Sequence, residues 1–213
     1  GDTPATPPTS CKISICDVDT TYLWAAHFEG VPATSGQIAE LTNGRLLVKV
    51  NHEGWISFWR CDGEGSSSEA ELLFEEQWRN RWRIDRFCVP TNHNARELKP
   101  NAGKFSYKAQ VRFEAYDDEK LFGMGQYQDS HLNKKGGIWE LSQKNSQASV
   151  PFVLSSRGYG FLWNNPAVGT AVFGTNGTIW TAEETQKIDY WVTCGSPAEI
   201  EENYTAVTGR TPL

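Results

Sequence analysis

At 213 residues the chain is long enough for one sizeable domain, and its 19 glycines, nine tryptophans and 12% aromatic content favour strands and turns over a helix bundle. A formal net charge of −6 argues against a nucleic-acid or anionic-membrane surface, because nothing would offset phosphate repulsion. No apolar run approaches the roughly 20 residues that a membrane-spanning helix needs.

The start, Gly1-Asp-Thr-Pro-Ala-Thr-Pro-Pro-Thr-Ser10, is polar and Pro-rich, so residues 1–12 read as a loosely held tail that fits a mature N-terminus after signal-peptide removal. Residues 13–195 then read as one all-β unit. Leu46–Val50 and Trp55–Trp59 flank the turn Asn51-His-Glu-Gly54 and predict a hairpin. Gly63–Ser68 is a flexible loop by composition, and Trp82–Cys88 predicts a strand. The clearest alternation runs over Phe105–Tyr116, where Phe105, Tyr107, Ala109, Val111 and Phe113 share one face and charged or polar residues the other. Further strands are predicted at Val150–Ser155, Gly160–Trp163, Thr170–Phe173 and Ile188–Thr193. Around Met124, two glycines predict a tight bend beside a packed surface. One helix is signalled near the end. Ser196-Pro-Ala-Glu199 is a capping box with proline at the first helical position; Ile200, Tyr204 and Val207 share a face, and Gly209 suits the C-cap. Many strands followed by one helix over residues 196–213 predict a two-sheet antiparallel β-sandwich.

Five cysteines (Cys11, Cys16, Cys61, Cys88, Cys194) have no metal-ligand spacing, and the odd number leaves one unpaired or joined to another chain. Asn176-Gly-Thr and Asn203-Tyr-Thr are glycosylation acceptors, which with the polar start favour a secreted protein. The four histidines (His27, His52, His93, His131) are scattered, and no H-E-x-x-H, Walker or G-x-S-x-G motif occurs, so no metal, cofactor or self-contained catalytic set is expected. Asp117-Asp-Glu-Lys120 offers neighbouring carboxylates. Glycosidic cleavage needs two carboxyls facing each other across the bond, which neighbours on a loop seldom provide, and a solvated turn is the better reading. Arg79, Arg81, Arg83 and Arg86, interleaved with Trp78 and Trp82, read as a charged strand face over core tryptophans, with a sugar platform as the alternative. From Leu121 to Leu154 the chain is rich in amides and hydroxyls, which is what a polyol ligand wants.

Several segments in order carry a resemblance: Asp118-Glu-Lys-Leu-Phe-Gly-Met-Gly-Gln126, Val150-Pro-Phe152, Ser155-Ser-Arg-Gly-Tyr-Gly-Phe-Leu-Trp-Asn164, Asn176-Gly-Thr-Ile-Trp180, Tyr190-Trp191 and Thr208-Gly-Arg-Thr-Pro212. The sequence resembles the N-terminal domain of glycoside hydrolase family 31, the α-glucosidases and α-xylosidases. Gln126-Tyr-Gln-Asp129 and Lys134-Lys-Gly-Gly137 look more like the microbial, α-xylosidase-like branch. The resemblance implies a galactose-mutarotase-like sandwich that precedes a (β/α)8 barrel, where an aspartate nucleophile and an acid/base carboxylate cleave α-glycosidic bonds with retention. It implies that both lie outside this chain, on a barrel-bearing chain expected as partner beyond Leu213, and that α-linked oligosaccharide is the substrate. It also implies a loop lent to the substrate pocket, here Ser142–Gln147, with Gln143 and Asn145 nearest the sugar. A stand-alone carbohydrate-binding module using Trp78 and Trp82 is the alternative, and a self-sufficient mutarotase is disfavoured by the scattered histidines.

Overall fold

A computed structural model describes residues 10–16, 26–27, 39–51, 54–61, 70–77, 79–80 and 92–210, and of these only the backbone at 10–16, 26–27, 79–80 and 92–93. The strands are β1 (Ser10–Cys16), β2 (Ala26–His27), β3 (Ala39–Asn43), β4 (Leu46–Val50), β5 (Ile56–Arg60), β6 (Glu71–Glu75), β7 (Arg79–Asn80), β8 (Asn92–His93) and β9 (Arg96–Pro100). They continue as β10 (Tyr107–Phe113), β11 (Leu121–Gln126), β12 (Ile138–Leu141), β13 (Ala148–Ser155), β14 (Tyr159–Trp163), β15 (Gly169–Phe173), β16 (Thr178–Thr185) and β17 (Lys187–Cys194). A single described helix, α1 (Pro197–Thr208), follows.

Six strands form one antiparallel sheet in the order β11-β13-β14-β17-β1-β2, and five form the facing sheet in the order β12-β15-β16-β10-β9. Their inner faces meet through aromatic rings: Phe113 on β10 meets Phe161 on β14 edge to face at 5.3 Å, and Phe161 lies 5.0 Å from Trp180 on β16. This is the predicted sandwich. A third sheet, β3-β4-β5-β6, includes the predicted hairpin and joins the second where Glu76 bridges Phe113. It closes one end of the core by stacking Phe58 on Phe74, and Phe74 on Tyr159. β7 and β8 pair with each other.

On β10 the predicted alternation holds for Ala109, Val111 and Phe113, which are buried. Phe105 does not share that face. It is 100% exposed at the tip of a turn in which the Lys104 N–H donates to Asn101 O and the Asn101 N–H to Ser106 O. The pattern ran on past the point where the backbone leaves the sheet. Trp82–Cys88 and Gly63–Ser68 lie outside the described residues, and β1 places ordered strand from Ser10.

The glycines around Met124 do not end β11; they face a bulge in β13. Gly123 pairs with Val153 and Gly125 with Ser149, so three residues of β13 oppose Met124. Pro151 is among them, at a place where no ladder donor is required of it. Gly123, Met124 and Gly125 all have positive φ, and a side chain at Gly125 would drive into the Ala148 carbonyl. Met124 is thereby turned fully inward.

α1 starts as predicted: Ser196 Oγ accepts from the Glu199 N–H at 3.4 Å, and the Ser196 N–H donates to Glu199 Oε2 at 2.7 Å. Ile200 is buried against the outer face of the six-stranded sheet with Phe152 and Trp191, and Tyr204 stacks on Phe152 at 4.1 Å. Val207, expected on the same face, is 47% exposed, and its neighbours Ala206 and Thr208 in the last turn are exposed with it.

Candidate functional site

The chain crosses between the two sheets from β12 to β13 through Ser142–Gln147, and a pocket of about 370 Å³ opens beside that crossing. Tyr127, Gln128 and Asp129 from the exit of β11, Ile138, Trp139 and Glu140 from β12, and Lys144, Asn145 and Gln147 from the crossing line it.

Its floor is tied at Ser149. The Tyr127 hydroxyl donates to the Glu140 carbonyl at 2.8 Å and shares a hydrogen bond with Ser149 Oγ at 2.9 Å. Gln143 Nε2 donates to Ser149 O at 2.7 Å, and the Ser149 N–H donates to Gln143 Oε1 at 3.1 Å. Beyond this clamp the crossing turns tightly. The Gln147 N–H donates to Lys144 O at 3.1 Å, and Ser146 sits at φ 67°, a left-handed position that a non-glycine residue adopts only under constraint. A positive φ at the second of two central residues is the type II pattern, and the first is Asn145, exposed at the pocket's edge.

On the opposite wall, Trp139 Nε1 donates to the Lys134 carbonyl at 3.1 Å, its ring meets Tyr127 edge to face at 5.3 Å, and Lys134 Nζ lies 4.4 Å from its centroid. Lys134 is only 8% exposed, and both Asp129 oxygens accept from it at 3.0–3.1 Å. Those bonds hold the Asp129 carboxyl below its ordinary pKa. Glu140 pairs with Lys144 and accepts from Ser142 Oγ, and the Lys144 bond, then the Ser142 bond, lower its pKa too. Each acid in the pocket therefore has its own lysine.

That distribution sets what the pocket can do. Glycoside cleavage needs one carboxyl kept protonated near neutral pH as a general acid. Asp129 and Glu140 are both pushed the other way, so neither is suited to that task. What is left is a pairwise-neutralised cleft with amide, hydroxyl and aromatic groups, which fits a neutral polyhydroxy ligand.

The two residues expected nearest the sugar take different places. Asn145 lines the pocket, whereas both amide atoms of Gln143 are engaged by the Ser149 backbone. Tyr127, Asp129, Trp139 and Glu140 were not singled out from sequence as lining residues. The usable signal was Gly137: a side chain there would collide with the Trp139 indole, so the glycine marks a ring laid against backbone.

In Asp117–Lys120 the structure corrects the solvated-turn reading. Asp117 and Asp118 are exposed, but Glu119 is 3% exposed and accepts from Ser155 Oγ and the Tyr159 hydroxyl at 2.6 Å each. Trp78, Trp82 and the side chains of Arg79, Arg81, Arg83 and Arg86 lie outside the described residues, as do those of His27, His52 and His93. Among the described residues no three His, Cys, Asp or Glu side chains gather as a metal site would. Cys61 and Cys194 are buried free thiols, and burial pushes Cys194 up to about 11. Asn176 is exposed in the turn between β15 and β16. Asn203 lies on α1 with its Nδ2 donating to Thr193 Oγ1 at 2.9 Å.

Residues 30–170 match the model of the glycosyl hydrolase 31 N-terminal galactose mutarotase-like domain. The chain belongs to that family. It is 45% identical over 182 residues to a protein of Pseudescherichia vulneris named as an uncharacterized family 31 glucosidase, covering 81% of this chain and 33% of that protein. It is 30% identical to α-xylosidase A of Aspergillus niger, over 84% of this chain and 24% of that one. Among solved structures, a family 31 α-xylosidase from a soil metagenome, complexed with xylose, superposes with a TM-score of 0.77 at 38% identity, over 97% of this chain and 32% of the other. The family 31 domain thus spans a quarter to a third of each relative's length.

Proposed function

We propose that this family 31 domain is the non-catalytic N-terminal part of a secreted, retaining α-glycoside hydrolase of the α-glucosidase or α-xylosidase type. It packs on the catalytic (β/α)8 barrel of the same enzyme and lends the Ser142–Gln147 crossing to the substrate pocket. The observation that carries this reading is the cleft beside that crossing, where Asn145 is presented and both carboxyls are tied to lysines. Such a cleft holds a sugar and leaves the bond-breaking to a barrel.

The comparisons support the division of labour. In the Pseudescherichia relative the 182 matched residues are 33% of the protein, which leaves about twice that length, more than the roughly 250 residues a (β/α)8 barrel takes. Two of the three relatives named above are α-xylosidases, which favours an α-xyloside among α-linked substrates. Ile138, which lines the pocket, and Leu132, on the loop that leads into it, are 73% and 79% exposed, and they supply an apolar edge for the barrel to cover. The exposed acceptor at Asn176 supports secretion.

The test is Asn145→Ala in the assembled enzyme. KM for α-linked disaccharides should rise about three- to tenfold, the value of one hydrogen bond to a neutral sugar, with turnover retained. Unchanged kinetics across several linkages would remove the crossing from the substrate site.

A further inference from the structure

The sequence places Gln143 and Asn145 together on one loop, and the structure separates what they do. Both ends of the Gln143 amide are bound to the backbone of Ser149, at 2.7 and 3.1 Å. This closes the crossing as a pair of strand-type hydrogen bonds would, although β12 and β13 belong to different sheets. Ser149 is nearly buried, and its hydroxyl is held by Tyr127 from the third side. The stretch between the clamped residues is short, Lys144 to Ala148, and is closed within by the Gln147 N–H bond to Lys144 O, with Ser146 left-handed. Such a φ is strained for a residue with a side chain and persists only where the surroundings over-determine it. Tyr127, Gln143 and Ser149 provide that constraint.

We propose that Gln143 is a positioning residue: its amide clamp on Ser149 sets the height and direction at which Asn145 is held over the pocket, and it does not itself bind sugar. The inference rests on the pocket reading above. It also explains why a side chain with an accessible position has both polar atoms turned back onto the backbone.

The experiment uses the enzyme that contains this domain, with Gln143→Met, Asn145→Ala and the double variant. Gln143→Met keeps the length of the side chain and removes both hydrogen bonds. KM for an α-linked disaccharide should rise about threefold or more with kcat within twofold, and this rise should vanish in the Asn145→Ala background, since Gln143 acts only through Asn145. Trypsin should also cut after Lys144 faster than in the parent, a readout that needs no substrate. Gln143→Glu is the second variant, used if the first folds poorly: it keeps the acceptor for the Ser149 N–H and sets an oxygen against the Ser149 carbonyl, and it should show the same pattern. If Asn145→Ala raises KM while the Gln143 variants behave as the parent, the positioning role is overturned and the pocket reading stands. If the Gln143 effect is equally large with and without Asn145, Gln143 does not act through it and the role is again overturned. If no variant changes KM, the pocket reading falls and takes this inference with it.

Discussion

Tyr159 donates its hydroxyl to Glu119 Oε1 at 2.6 Å inside the sandwich, where both residues are almost wholly shielded from water. Ser155 Oγ donates to the same oxygen at 2.6 Å, and Lys135 Nζ approaches the other at 3.4 Å. One buried carboxylate thus ties the entry to β11 to both strands of the β13–β14 hairpin. Removing the carboxylate should cost more than removing one donor, because it strands several groups at once. Glu119→Ala is expected to lower unfolding free energy by about 3–5 kcal/mol, and Tyr159→Phe by about 1–3 kcal/mol, in urea titration. Equal losses would show that Glu119 is no hub.

The same burial fixes an alkaline limit. Tyr159 is held protonated well above the ordinary range by burial and then by Glu119, and burial pushes Tyr116 up to about 12. Both folded pKa values lie above the unfolded value near 10, so the unfolded chain loses these protons first. Stability should be level below about pH 9 and fall from pH 10 upwards. Titration of the phenolate absorbance should leave at least two of the seven tyrosines silent until the chain unfolds. A full count of phenolates in the folded protein at pH 11 would contradict this.

At the acid end the helix cap is decisive. Glu199 reaches back to the Ser196 N–H and meets Arg45 Nη2 at 2.8 Å, and its pKa is lowered to about 2, mainly by the bond to the Ser196 backbone. A carboxyl with a depressed folded pKa contributes fully above its unfolded value near 4.3 and loses that contribution as pH falls towards 2. Glu199→Gln should therefore be less stable than the parent at pH 6, and the gap should close between about pH 5 and pH 2. The side chain is half exposed, so salt should narrow the gap as well. Ile200→Ala, by contrast, should cost about 2–5 kcal/mol at every pH in that range, because it empties the contact with Phe152 and Trp191.

The capping box of α1 was legible because each of its interactions spans at most three residues. The β4–β5 hairpin and the inner face of β10 were legible from alternation, and the sandwich followed from the number of strands. The pocket was not. Its walls come from β11, β12 and the crossing, and they meet only through long-range register. Gln143 shows the limit most clearly: its amide looks like a ligand group in sequence, and only the position of Ser149 reveals that both atoms are already used. Glu119 failed for the opposite reason, since two exposed neighbours disguised a residue that the backbone turns inward. The bulge opposite Met124 lay between, with glycines that announced a bend but not that β11 continues through it.

Glycan attachment separates two acceptors that look alike in sequence. Transfer requires the acceptor asparagine in a turn or extended segment. Asn176 lies in an exposed turn, whereas Asn203 is inside α1 with its Nδ2 on Thr193 Oγ1. Expressed through a eukaryotic secretory pathway, the chain should carry glycan at Asn176 and none at Asn203, read by mass spectrometry of glycopeptides. Glycan at Asn203 would mean that α1 docks only after modification.

Gly137 leaves no room for a side chain beside the Trp139 indole. A methyl group there would come within van der Waals overlap of three ring atoms, so Gly137→Ala should move the ring and not the backbone. The ring is held by its Nε1 bond to the Lys134 carbonyl and by the Lys134 ammonium near its face, and a shift loosens both. Lys134 is almost buried, so weakening its contact with Trp139 leaves the Asp129 pair and the Tyr127 ring to hold it. Overpacking of this kind costs about 1–3 kcal/mol. In the assembled enzyme Gly137→Ala should raise KM while leaving the clamp at Ser149 intact, so trypsin should cut after Lys144 at the parental rate. Faster cleavage would mean that the two walls of the pocket are mechanically coupled through Tyr127, which touches both.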